Sequence, residues 1–155
     1  MTSLRCCRAC FIEMERIALA DGSVVLLCSA CDVIGLEREL GLGGPIWAAG
    51  MSFGSWIAMT TGSEDARVSV LLGIAPPVDR YDFTMLHTCT VPKFIIHGEE
   101  DELISIKEIR KFYSQIPEPK ELVTIEFADH LFEGKTSMVG EAVEDLLADF
   151  STVKT

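Results

Sequence analysis

Ser52 lies at the centre of Gly50-Met51-Ser52-Phe53-Gly54, between an apolar run at 46–49 and a helical stretch at 55–60. Asp101 and His130 follow it in the chain, each a few residues after an apolar segment. A serine hydroxyl is a weak nucleophile until a base accepts its proton. Histidine can be that base, and a buried carboxylate then fixes the imidazole tautomer and stabilises the cation that forms. A strand that runs into Gly-x-Ser-x-Gly and leaves as a helix holds the hydroxyl at the apex of a sharp turn. The flanking glycines remove side chains where strand and helix crowd together. The helix that begins there aims backbone N–H groups at developing negative charge. The Phe53 N–H is therefore the candidate oxyanion donor, and a second donor has no assigned residue.

Other residues compete for these roles. Asp79 follows an apolar run and is the alternative acid to Asp101. Glu99 and Glu100 crowd the Asp101 turn, and Asp129, beside His130, is expected to face solvent. His97 directly precedes Gly98, which suggests packing or turn support, while His87 carries no signal. Cys7-x-x-Cys10 and Cys28-x-x-Cys31 are seventeen residues apart, within the spacing of a four-cysteine zinc site. The apolar lead-in at 24–27 and an alanine inside each pair favour buried cysteines acting as small hydrophobes. No metal is assigned, and Ser-His-Asp chemistry implies no organic cofactor.

The elements around these residues alternate. Residues 46–50, 68–74, 93–97 and 121–127 read as strands, three of them nearly continuous apolar runs of the kind found inside parallel sheets. Helices are expected after Ser52, at 81–86, from Ser105 and over about 138–150. Ser105 with Glu108 forms a capping-box pattern, and Pro117 and Pro119 stop that helix. Residues 41–45 are a loop by composition. The first 40 residues hold five of the six cysteines and form an atypical segment, with helices expected at 4–20 and 33–42 and a strand at 23–28. Strand–helix repetition implies an α/β sheet with helices on both faces, and a site at the carboxyl ends of the strands.

From about residue 46 to 150 the chain resembles the later half of an α/β-hydrolase. The resemblance rests on Gly-Met-Ser-Phe-Gly at 50–54, His-Gly-Glu-Glu-Asp at 97–101 and Ala-Asp-His at 128–130. Ile-Ala-Pro-Pro-Val-Asp at 74–79 is similar to the small bacterial members. It implies Ser52 as nucleophile, Asp101 as acid, His130 as base and Phe53 as oxyanion donor, acting on a small ester, thioester or related acyl substrate. It also implies a partial fold: residues 41–155 as the hydrolase-like domain, with the earlier strands of the sheet absent or atypical. Such a truncation suggests an alternative, a weak or inactive domain that binds or self-associates through an open edge at the 46–50 strand.

Composition narrows the classes further. Hydrophobic residues are 48% of 155, and the net charge is −11. That charge argues against nucleic acid, which needs clustered Lys and Arg. No apolar run approaches the ~20 residues of a membrane span. The first residues lack a long apolar leader. A cytoplasmic protein is the expectation.

Overall fold

The structure, a computed structural model, describes residues 15–18, 23–28, 33–38 and 46–152, with side chains over 46–148. Among the described residues seven strands form one sheet in chain order: β1 (Glu15–Ala18), β2 (Ser23–Cys28), β3 (Val33–Arg38), β4 (Ile46–Met51), β5 (Val68–Ile74), β6 (Lys93–Gly98) and β7 (Lys120–Ile125). β4 to β7 are parallel, as in a partial α/β-hydrolase fold, whereas β1 to β4 pair antiparallel. α1 (Phe53–Ser63), α2 (Ile106–Gln115) and α3 (Thr136–Thr152) link or close the parallel part, with a 3-10 turn at Thr84–His87.

The inner parallel strands β5 and β6 are buried on both faces, and β7 at the edge is only partly covered. Along β5, Val70 and Leu72 join Trp47, Phe94, Ile96, Ile125 and Leu146 of α3 in one core. Leu71, between them, joins Met59 of α1, Ile95, and Ile109 and Phe112 of α2 in the other. Two-sided burial is why β5 and β6 read as nearly continuous apolar runs rather than alternating ones.

The first 40 residues depart from expectation. Residues 15–18 and 33–38 are strands, not parts of helices, while Ser23–Cys28 is the strand expected. Val33 and Ile34 are β-branched and Gly35 follows them, and all three are poor helix formers. A ladder partner next to them then decides for strand. β3 pairs with β4, Val33 opposite Gly50 and Leu36 opposite Trp47. β4 thus lies inside the sheet instead of forming an open border, and the sheet is continuous across residue 40.

Smaller differences have local causes. Residues 84–87, not 81–86, form the short helix, because the Asp82 carboxylate takes the Thr84 N–H at 2.9 Å and starts the turn there. Ser105 caps α2 by accepting the Lys107 N–H at 3.2 Å, one position earlier than a capping box. Glu108 lies 3.6 Å from Lys111.

Candidate active site

Ser52 connects β4 to α1 with φ 49° and ψ −123°, a region that a residue with a side chain rarely occupies. The surroundings hold it there. Its N–H donates to the Ile74 carbonyl at 2.8 Å, and its carbonyl accepts the Ser55 N–H at 2.9 Å and the buried Ser55 hydroxyl at 2.5 Å. A Cβ on Gly50 would lie 2.3 Å from the Gly54 carbonyl oxygen, so the strand–helix crossing requires glycine. Phe53 is the first residue of α1, where an N–H has no partner within the helix.

Asp101 lies after β6 and His130 after β7, both buried. The His130 Nδ1–H donates to Asp101 Oδ2 at 2.8 Å, since a carboxylate only accepts. Nε2 is then bare, and the Ser52 hydroxyl donates to it at 3.0 Å. The second carboxylate oxygen of Asp101 accepts the N–H groups of Leu103 and Ile104, each at 2.8 Å. Both oxygens are therefore committed, and only one points to His130. The structure brings together Ser52, Asp101 and His130, which lie 29 to 78 residues apart in the chain.

The His130 loop is fixed from two sides. Phe127 and Phe132 bracket it with positive φ, 54° and 56°. The Glu100 N–H donates to the Ala128 carbonyl at 3.0 Å, and Glu102 accepts the His130 N–H at 3.1 Å. The sequence offered only an acidic run for Glu102, with nothing to show that it faces His130.

The competing residues lie elsewhere. Asp79 is exposed, with its carboxylate 3.8 Å from Arg80. Asp129 is half-buried and accepts the Glu133 N–H at 2.9 Å, so it braces the turn rather than simply facing solvent. His87 is exposed, and Glu99 lies 3.6 Å from Arg110. His97 is fully buried and donates through Nε2 to the Ile104 carbonyl at 2.9 Å. Burial holds it below the ordinary histidine range.

Cys7, Cys10 and Cys31 lie outside the described residues, as does the side chain of Cys28. Among the described residues, no three His, Cys, Asp or Glu side chains are grouped to hold a metal ion. No helix among them is long and apolar enough to cross a membrane.

A sheet whose parallel strands carry Ser, Asp and His, in that chain order, beyond their carboxyl ends has the α/β-hydrolase arrangement. The family model described as PhoPQ-activated pathogenicity-related protein matches residues 57–152, more than half of the chain. The chain belongs to that family. It is 32% identical over 106 residues to an uncharacterised protein of Rickettsia prowazekii, covering 63% of this chain and 44% of that one. Among solved structures it is similar to a protein of unknown function from Agrobacterium tumefaciens, a candidate α/β-hydrolase. That match has TM-score 0.65 and 28% identity, over 70% of this chain and 51% of the other. It is also similar to an α/β serine hydrolase homologue from Coxiella burnetii. There the TM-score is 0.58 and the identity 32%, over 62% and 46% of the two chains. The chain spans about half the length of these relatives.

Proposed function

We propose that this protein is a serine hydrolase acting on an ester, thioester or related acyl bond. The observation that carries the reading is the continuous relay Asp101–His130–Ser52, at 2.8 and 3.0 Å, ending on a serine held in a strained turn. In the proposed reaction the Ser52 oxygen attacks the acyl carbon while His130 Nε2 takes the hydroxyl proton. The carbonyl oxygen gains the negative charge and faces the Phe53 N–H at the start of α1. As the carbonyl re-forms, the bond to the leaving group breaks, and His130 returns its proton to the departing alcohol or thiol. Water then attacks the acyl–Ser52 ester with His130 again as base, releasing the acid and restoring the hydroxyl. Asp101 holds the imidazole with Nδ1 protonated throughout.

A fluorophosphonate probe tests the reading directly. The expected result is one added probe mass on the peptide containing Ser52, lost in Ser52→Ala, together with turnover of a simple aryl ester. Equal labelling of the variant would remove Ser52 as nucleophile. An unlabelled parent protein would exclude an activated serine altogether.

A further inference from the structure

One buried titratable group has no part in the relay. His97 is the fifth residue of β6 and fully buried. Its Nε2 lies 2.9 Å from the Ile104 carbonyl oxygen, and a carbonyl only accepts, so Nε2 carries the proton. Nδ1 is then a bare acceptor, with no hydrogen bond to the described protein. The N–H of the same Ile104 donates to Asp101 Oδ1 at 2.8 Å. Both polar backbone groups of Ile104 are thus held, the carbonyl by His97 and the N–H by Asp101. The Ile104 side chain, 1% exposed, is anchored in the core behind them. The turn between the end of β6 and Ile104 is closed at both ends, with Asp101 at its centre.

We propose that His97 is a positioning residue. By tying the Ile104 carbonyl to the end of β6, it fixes the two N–H groups that hold Asp101 Oδ1, which leaves Oδ2 directed at His130. Without that tie the Leu103–Ile104 segment can withdraw from the carboxylate, and Asp101 loses the contacts that select its rotamer. His97 must stay neutral to do this. Its Nε2 stands 3.7 Å from Asp101 Oδ2, so a charged His97 would compete with His130 for that oxygen. Burial keeps it neutral by disfavouring the cation. The effect on rate rests on the function proposed above, whereas the effect on Asp101 geometry does not.

The test compares His97→Gln, whose amide N–H can reach the Ile104 carbonyl, with His97→Met, which fills the space without a donor. Two quantities are read: aryl-ester hydrolysis, and the deshielded His130 Nδ1 proton in NMR spectra. His97→Met should lower kcat about 10- to 100-fold with KM unchanged, as expected for a misplaced catalytic group, and should weaken or abolish the Nδ1 resonance. His97→Gln should return both toward the parent values. A His97→Met protein with parental kcat and resonance would overturn the proposal, and so would equal damage in both variants. If His97→Met does not fold, nitrogen shifts of histidine-labelled parent protein decide, because an Nδ1-protonated His97 excludes the tie. A parent protein with the resonance but no hydrolysis would refute the proposed function and leave the Asp101 geometry testable by resonance alone.

Discussion

Gly98→Ala should separate the two loops that carry Asp101 and His130. A Cβ at Gly98 would stand 2.4 Å from the Ala128 carbonyl oxygen and 2.8 Å from that of Asp129. Real Cβ contacts stay above 3.0 Å, so the loops must part by about 0.6 Å or more. Both neighbours are backbone, and the Ala128 carbonyl already accepts the Glu100 N–H at 3.0 Å. No flexible side chain can absorb the strain. Parting by that amount would stretch the 2.8 Å His130–Asp101 bond to about 3.4 Å, past the range of a strong charge-assisted hydrogen bond. Overpacking of this kind costs about 1–3 kcal/mol. At roughly 2–4 °C per kcal/mol for a domain of this size, Tm should fall by several degrees. The labelling rate at Ser52 should fall about 100-fold. Gly140→Ala is the control, since a Cβ there meets nothing within 4 Å and replaces a helical glycine. It should raise stability by about 0.5–1 kcal/mol. A Gly98→Ala protein that melts and labels like the parent would show that the Asp101 and His130 loops are not held this closely.

Asp101→Asn should lower hydrolysis by about 10⁴-fold through the wrong imidazole tautomer, while Asp79→Asn should leave it within a few-fold. The reverse ranking in steady-state kinetics would move the acid to the loop after β5. The buried His97 makes stability depend on pH. Burial lowers its pKa, opposed by the Ile104 carbonyl and Asp101 and reinforced by His130. The unfolded chain therefore binds a proton that the folded one refuses. Stability should be full above the ordinary histidine value of about 6.5 and should fall as the pH drops below it. Urea midpoints at pH 7.5 and 5.5 should differ less in His97→Gln than in the parent, and an unchanged difference would remove His97 as the source.

The parts of the fold legible in the sequence are those where burial wrote the pattern. Residues 70–74 and 94–96 are continuous apolar runs because both faces of β5 and β6 are covered. Ser52 was legible because the close crossing of Gly50 against the Gly54 backbone excludes other residue types at position 50. What could not be read were contacts that a side chain makes to backbone far along the chain. Any residue supplies a carbonyl, so nothing in the letters at Ile104 marks it as the acceptor for His97. Glu102 was hidden for the same reason, since its partner is the N–H of residue 130. β3 illustrates a third limit. Six residues containing Val33, Ile34 and Leu36 fit a helix or a strand by spacing, and the choice is made by β4 alongside.

That pairing bears on the chemistry. In α/β-hydrolases one oxyanion donor follows the nucleophile, and the other comes from a loop after an earlier parallel strand. Here the strand beside β4 runs the opposite way. Val33, where β3 begins, is opposite Gly50 near Ser52, while the strand runs on past Leu36, opposite Trp47, toward the far end. The described residues therefore place no loop from an earlier parallel strand beside the Phe53 N–H. The Asp101–His130–Ser52 hydrogen bonds are complete in geometry, whereas among the described residues only the Phe53 N–H is a candidate oxyanion donor. These two halves act on different steps. The relay governs whether Ser52 is nucleophilic. The second donor governs how well the tetrahedral intermediate is stabilised, at about 10²–10³ in rate. With the Phe53 N–H as the sole donor, the protein should label with a fluorophosphonate yet turn over esters slowly; ester turnover as fast as labelling would place a second donor outside the described residues. The deficit of a one-donor site should lie in kcat, because the second contact forms only once the carbonyl oxygen carries charge.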